Sequence, residues 1–133
     1  MTSEWRDAMK RGAVDELEHL RAAGADIDAR DEHGQTGLIL AARDGRTDVV
    51  EWLVGRGAKL DVTAKYGLTA LMLAVVNGHV DVVRVLVRAG TDLELRGTGA
   101  PGFAGKTALN LADARGDREM VAILKDRHGG RSE

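Results

Sequence analysis

Apolar residues along the chain fall into short runs, and the runs return at fixed intervals. Trp5, Leu38, Leu71 and Leu109 align at steps of 33, 33 and 38 residues, as do Ala8, Ala41, Ala74 and Ala112. Leu17, Val50, Val83 and Val121 form a further column, and Leu20, Leu53, Leu86 and Leu124 follow one helical turn later. Within each run the apolar positions lie three or four residues apart, which puts them on one face of a helix. The pattern predicts short first helices over 37–44, 70–77 and 108–115, and second helices over about 47–56, 80–89 and 117–127.

The polar landmarks keep the same register. Gly12, Gly45 and Gly78 lie 33 residues apart, and Gly116 follows after 38. Thr36, Thr69 and Thr107 stand directly before the first helices and read as N-caps, whose hydroxyls accept from free backbone N–H groups. Ser3 is in the same register and is expected to cap the first unit. Gly45, Gly78 and Gly116 are expected to end the first helices, and Gly57 and Gly90 two of the second. Ala25–Ala29 and its equivalents then run extended to turns at Gly34, Gly67 and Gly105. The units are approximately 1–30, 31–63, 64–96 and 97–128 in one domain spanning 1–133, with a five-residue insertion within 96–106 and a polar tail over 128–133.

Composition narrows the class of function. Aromatics supply only 3% of the 133 residues, so the core is built from Ala, Val and Leu. A net charge of −2 gives no general pull toward nucleic acid or an anionic membrane. The absence of cysteine excludes disulfides and thiolate metal sites. The amino-terminal residues are charged, and no apolar run is long enough to span a bilayer, so a cytoplasmic location is the expectation.

The second unit reads Asp31-Glu-His-Gly34-Gln-Thr36-Gly-Leu38-Ile-Leu-Ala41-Ala42, then Gly45-Arg-Thr-Asp-Val49-Val50-Glu-Trp-Leu53-Val54, then Gly57-Ala58. The third reads Gly67-Leu-Thr69-Ala-Leu71-Met-Leu-Ala74, then Gly78-His79-Val-Asp-Val82-Val83-Arg-Val-Leu86-Val87. These residues resemble the ankyrin repeat family over residues 3 to about 127. The resemblance implies an all-α solenoid of four helix-turn-helix units joined by hairpin-like loops. It implies a module that binds another protein, and no enzyme activity. The family's Thr-Pro-Leu-His appears as Thr36-Gly-Leu-Ile39, Thr69-Ala-Leu-Met72 and Thr107-Ala-Leu-Asn110, so the proline and histidine are missing each time. Weaker hairpin ordering than in consensus repeats is the expectation. Glu16, His19 and Arg21 in the first unit, and Asp113 and Lys125 in the last, replace interior apolar residues. Those units are expected to act as caps on a complete array.

Two loop motifs point elsewhere. Residues 100–107 end in Lys106-Thr107 and match a relaxed phosphate-binding loop, which would make the chain a nucleotide-binding enzyme. The first position is Ala rather than Gly, no buried strand precedes it, and Thr107 is already the cap in register. Gly97-x-Gly99-x-x-Gly102 is a lone glycine pattern in the same loop. His19, His33, His79 and His128 are scattered over different units without ligand spacing, and His79 sits where the family implies a structural hydrogen bond. Asp15, Asp48 and Asp81 recur at the starts of second helices, where the helix dipole favours them. No catalytic set, metal site or cofactor site emerges.

The resemblance implies binding through a concave face lined by hairpin tips and first helices. By register the second unit contributes Glu32, His33, Gln35, Arg43 and Asp44. The third contributes Lys65, Tyr66, Leu68, Val76 and Asn77. The fourth contributes Phe103, Lys106, Ala114 and Arg115. Tyr66 stands out, since tyrosine offers apolar area and a hydrogen bond at small entropic cost. Phe103 lies in the insertion, which reads either as a solvated lengthened loop or as a contact finger. Trp5 and Trp52 occupy helical register and read as structural. The mixed charges suit a protein partner rather than nucleic acid or membrane, with the chain itself a monomer. Adaptor, inhibitor, regulatory subunit and structural assembly protein are the roles open to such a module.

Overall fold

A computed structural model describes residues 1–99 and 102–126. Among them, eight α-helices follow one another as four pairs: α1 (Ser3–Arg11) with α2 (Val14–Ala22), α3 (Gly37–Asp44) with α4 (Thr47–Gly55), α5 (Ala70–Val76) with α6 (Val80–Ala89), and α7 (Ala108–Arg115) with α8 (Arg118–Asp126). First helices pack on first helices, α1 on α3 on α5 on α7, and second helices on second helices, α2 on α4 on α6 on α8. The result is an all-α stack of two helical layers, the repeat architecture that the 33-residue period predicts. No helix among the described residues is long and apolar enough to cross a membrane.

The threonines act as the register requires. The Oγ1 atoms of Thr36, Thr69 and Thr107 accept from the N–H groups of Ile39, Met72 and Asn110 at 3.3, 3.2 and 3.2 Å. All three threonines are buried. In the fourth pair the Asn110 side chain also accepts the Thr107 N–H at 3.0 Å, closing a capping box. The first pair departs from expectation. Thr2, not Ser3, is the cap, accepting from the Trp5 N–H at 3.2 Å, and Ser3 is already helical. The cause is length: α1 has nine residues where α3 has eight, so register counted back from Thr36 falls one residue inside the helix. Two other helices end one residue short of their predicted bounds, α4 at Gly55 and α5 at Val76 with Asn77 as its cap, and α8 begins at Arg118, one residue later than predicted. Residue 127, His128 and the tail lie outside the described residues.

The core is a ladder of small and branched side chains. Ala8, Ala41, Ala74 and Ala112 are all buried, which lets first helices approach closely. At the first junction a large residue replaces leucine, because Trp5 fills the position of Leu38 and Leu71 and is 1% exposed. Gly37 answers it. A Cβ at residue 37 would lie 2.3 Å from Met9 Cε and 3.2 Å from Trp5 Nε1. That close approach explains the missing proline in the second unit, since any ring at this position would overlap Met9. The missing histidines of the second and third units are replaced by Ile39 and Met72, both 1% exposed and part of the core.

Side chains also tie successive pairs together. The guanidinium of Arg46 donates to the Lys10 carbonyl, His79 Nε2 bonds the Arg43 carbonyl at 3.0 Å, and Arg115 donates to the Val76 carbonyl at 3.0 Å. Each satisfies a free carbonyl at the end of the preceding first helix. In the loops, Asp28 accepts the Lys59 N–H at 2.9 Å, and Asp61 accepts the Asp92 N–H at 2.9 Å and the Thr91 hydroxyl at 2.6 Å. At the ends of the stack, Glu16, His19, Arg21, Asp113 and Lys125 are exposed.

Candidate functional site

The hairpin tips project from the layer of first helices. Each is sealed at its base by a backbone bond: Asp31 N–H to Gln35 O at 2.9 Å, Ala64 N–H to Leu68 O at 2.8 Å, and Gly97 N–H to Lys106 O at 3.1 Å. The tips therefore close without the family's proline. Three residues lie inside the second of these bonds and eight inside the third, so the insertion is confined to one tip. Its described part is bonded rather than loose. Gly105 N–H donates to Gly97 O at 2.8 Å, Lys106 N–H to Phe103 O at 3.0 Å, and Arg96 donates to Gly105 O at 2.6 Å. Phe103 is half-buried and packs against the core. Ala100 and Pro101, the first two residues of the phosphate-loop match, lie outside the described residues. Thr107, at its other end, spends its hydroxyl on the α7 cap.

Tyr66 occupies the tip of the third unit. It has φ 66°, and it is the one described non-glycine residue in the left-handed region. For a residue with a Cβ this costs about 1–2 kcal/mol, so something must hold it. Thr98 N–H donates to Tyr66 O at 2.7 Å. Gly99 lies against the ring, where an added Cβ would stand 3.0 Å from Tyr66 Cδ1. The insertion of the fourth unit thus buttresses the tip of the third. The residue is 45% exposed, which makes Tyr66 the one exposed large hydrophobic among the described residues. Lys65 Nζ lies 5.3 Å from the ring centroid.

The second unit brings its candidates together with residues of the first. A cleft of about 170 Å³ is lined by Asp31, Glu32, His33, Gln35, Leu40 and Arg43, and by Arg6 and Lys10 from α1. Arg6 pairs with Glu32 at 3.0 Å, and Arg43 pairs with Asp44 at 3.1 Å. A backbone N–H bond and the Arg6 guanidinium hold the Glu32 carboxyl below the usual carboxylate range. Asp31 folds inward, its Oδ1 accepting the N–H groups of His33 and Gln35 at 2.9 Å each. Arg6 and Lys10 were absent from the sequence candidates; register points to Lys10 alone, since Arg6 aligns with the buried Ile39. Lys10 stands 33 residues before Arg43. Leu68 and Val76 are half-buried, Asn77 donates to Leu73 O at 2.9 Å, and Ala114, Arg115 and Lys106 are exposed.

The two tryptophans lie elsewhere. Their ring centroids are 6.2 Å apart. Trp52 donates to Glu18 at 3.3 Å and lies under the Arg56 guanidinium, 5.7 Å from its ring centroid, so it stitches α4 to α2.

A family model described as ankyrin repeats in three copies matches residues 6–97. The chain belongs to the ankyrin-repeat family. Ankyrin repeats are generally protein–protein interaction modules, and the family is typically non-enzymatic. No curated protein matches the chain. The hairpin tips and the first helices carry Tyr66 and the residues that line the cleft of the second unit, while Trp52 and Glu18 stand on the second helices α4 and α2.

Proposed function

We propose that this ankyrin protein binds a protein partner through the concave face made by its hairpin tips and first helices, acting as a monomeric adaptor, inhibitor or regulatory subunit in the cytoplasm. The observation that carries the reading is Tyr66. A single large aromatic side chain is exposed, and the backbone beneath it is strained and held in place by a neighbouring loop. Rigid aromatic residues at a surface tip are the anchors that dominate binding energy at interfaces, and strain of this kind collects at functional positions. Glu32, His33, Gln35, Arg43 and Asp44 extend the surface on one side of Tyr66, and Phe103, Lys106 and Arg115 on the other. We read the polar outer residues of the first and last pairs as caps of a four-unit array.

Affinity capture from a cell extract, quantified by mass spectrometry, tests the surface. Wild type and an outer-face variant, Arg88→Ala, retain the same specific protein, while Tyr66→Ala loses it. If Tyr66→Ala combined with Phe103→Ala keeps every specific partner, the concave assignment is wrong.

A further inference from the structure

The concave face has a charge balance opposite to that of the whole chain. Among the described residues, ion pairs join Arg6 to Glu32, Arg11 to Asp7 and Glu16, Arg21 and Arg56 to Glu18, Arg43 to Asp44, and Arg84 to Glu119. Arg115 lies 4.0 Å from Asp117, and His33 lies 3.7 Å from Glu32. No lysine takes part in any pair among these residues. Three of them, Lys10, Lys65 and Lys106, stand exposed on the concave side, at the end of α1, at the third tip and just before the Thr107 cap. Of the acidic side chains on the tips and first helices, Glu32, Asp44 and Asp7 pair with Arg6, Arg43 and Arg11, Asp31 accepts two backbone N–H bonds, and Glu4 and Asp113 stand exposed, so basic side chains outnumber acidic ones there. The chain carries −2 overall, so its acidic excess lies on the other surfaces, including Asp15, Asp48 and Asp81 at the starts of the second helices.

We propose that the concave face receives an acidic segment of the partner, rich in Asp and Glu and carrying one apolar side chain that packs on Tyr66. This rests on the concave face being the interaction surface. Lys10, Lys106 and Lys65, the last of them already over the Tyr66 ring, supply positive charge that no carboxylate among the described residues pairs with, and like charges facing them would be rejected. Tyr66, Leu68 and Val76 supply apolar area between them. Neighbouring first helices pack about 8–10 Å apart, so Lys10 in the first pair and Lys106 in the fourth stand about 25–30 Å apart along the stack. An extended segment rising about 3.3 Å per residue covers that span with about eight or nine residues. Nucleic acid fits less well. The arginines that would grip phosphate in a fork are occupied by carboxylates and carbonyls, and one aromatic ring does not make a stacking platform.

The test uses fluorescence anisotropy with a labelled decapeptide of alternating Asp and Glu around a central Leu, at low salt. The controls are the same peptide with Gln at each acidic position and a thymidine decanucleotide. The acidic peptide binds saturably, and about 0.3 M salt weakens it strongly, because the Debye length falls below about 6 Å. The variant Lys10→Gln/Lys65→Gln/Lys106→Gln weakens it by at least about tenfold, while Lys59→Gln/Lys125→Gln leaves it unchanged. All five positions are exposed, and matched thermal melts verify folding. No binding of the acidic peptide, equal binding by the triple variant, or tighter binding of the oligonucleotide overturns the proposal. The captured partner separates the two readings. A partner lost by Tyr66→Ala but kept by the triple lysine variant removes the acidic class and leaves the concave module. A partner kept by both removes the surface itself.

Discussion

Gly37→Ala is expected to destabilise the protein, against the usual direction for glycine replacement in a helix. In an open helix, alanine is favoured over glycine by up to about 1 kcal/mol. Here the new Cβ would lie 2.3 Å from Met9 Cε, 3.2 Å from Trp5 Nε1 and 3.3 Å from Met9 Sδ. Carbon atoms in ordinary contact sit about 3.5–4.0 Å apart, so the Met9 methyl must move by more than about 1 Å. A methionine end on the surface would swing away at little cost. Met9 is 2% exposed and Trp5 is 1% exposed, so the methyl has only other core atoms to move against. Overpacking of this kind costs about 1–3 kcal/mol, and the expected net loss is about 1–2 kcal/mol after the propensity gain. Urea melts followed by circular dichroism measure it, in parallel with tryptophan fluorescence. Met9→Ala alone should cost about 2–5 kcal/mol. In that background Gly37→Ala should become neutral or stabilising, so the cycle shows a coupling of at least about 1 kcal/mol. A stabilised Gly37→Ala, or a cycle that closes additively, refutes the steric account.

Tyr66→Gly relieves the left-handed backbone and should raise stability by about 0.5–1 kcal/mol in a thermal melt, while abolishing partner capture; a drop in stability would mean that the ring contributes more than the strain costs. Asp61→Ala strips the bonds to the buried Thr91 hydroxyl and the Asp92 N–H and should cost about 1–3 kcal/mol by urea titration. Glu18→Gln tests the charge cluster on the second-helix layer. Arg56 and then Arg21 hold the Glu18 carboxyl below its ordinary value. A carboxylate depressed in the folded state adds stability above its unfolded value and loses it as pH falls through the folded one. Wild type should therefore exceed Glu18→Gln in melting temperature at neutral pH, and the two should converge in acid. A gap that persists at about pH 2, below the carboxylate range, would assign the effect to the Trp52 hydrogen bond instead.

The parts of the fold that depend on one unit alone were legible in the sequence. Thr36, Thr69 and Thr107 announce helix starts by chemistry that acts within four residues, and the Ala8 to Ala112 column announces close packing. The first cap shifted to Thr2 because α1 is one residue longer, which a fixed period does not register. Features that hinge on one particular contact between two units were not legible. The absence of proline at residue 37 reads as a weakened hairpin in isolation, and only Met9 and Trp5 from the preceding pair reveal it as a fit. Tyr66 was visible as an aromatic at a tip. Its backbone strain and its support by Thr98 and Gly99 depend on the next unit folding back against it. Lys10 was within reach by register from Arg43, but lies in the first unit, whose positions the candidates did not include.

The bond from Gly97 to Lys106 has a consequence for how such a protein changes over time. It occupies the place of the bonds from Asp31 to Gln35 and from Ala64 to Leu68, although it encloses five more residues than the latter. The helices on either side keep their register, because the extra chain is sealed off at its base. Loop-closure entropy grows only with the logarithm of length, so enlarging this tip from three residues to eight costs about 1 kcal/mol. Length at the tip is thus nearly decoupled from the stack. Segments of other lengths and compositions that still support Tyr66 as Thr98 and Gly99 do can be exchanged there as cassettes, and recognition can diverge while the scaffold stays constant.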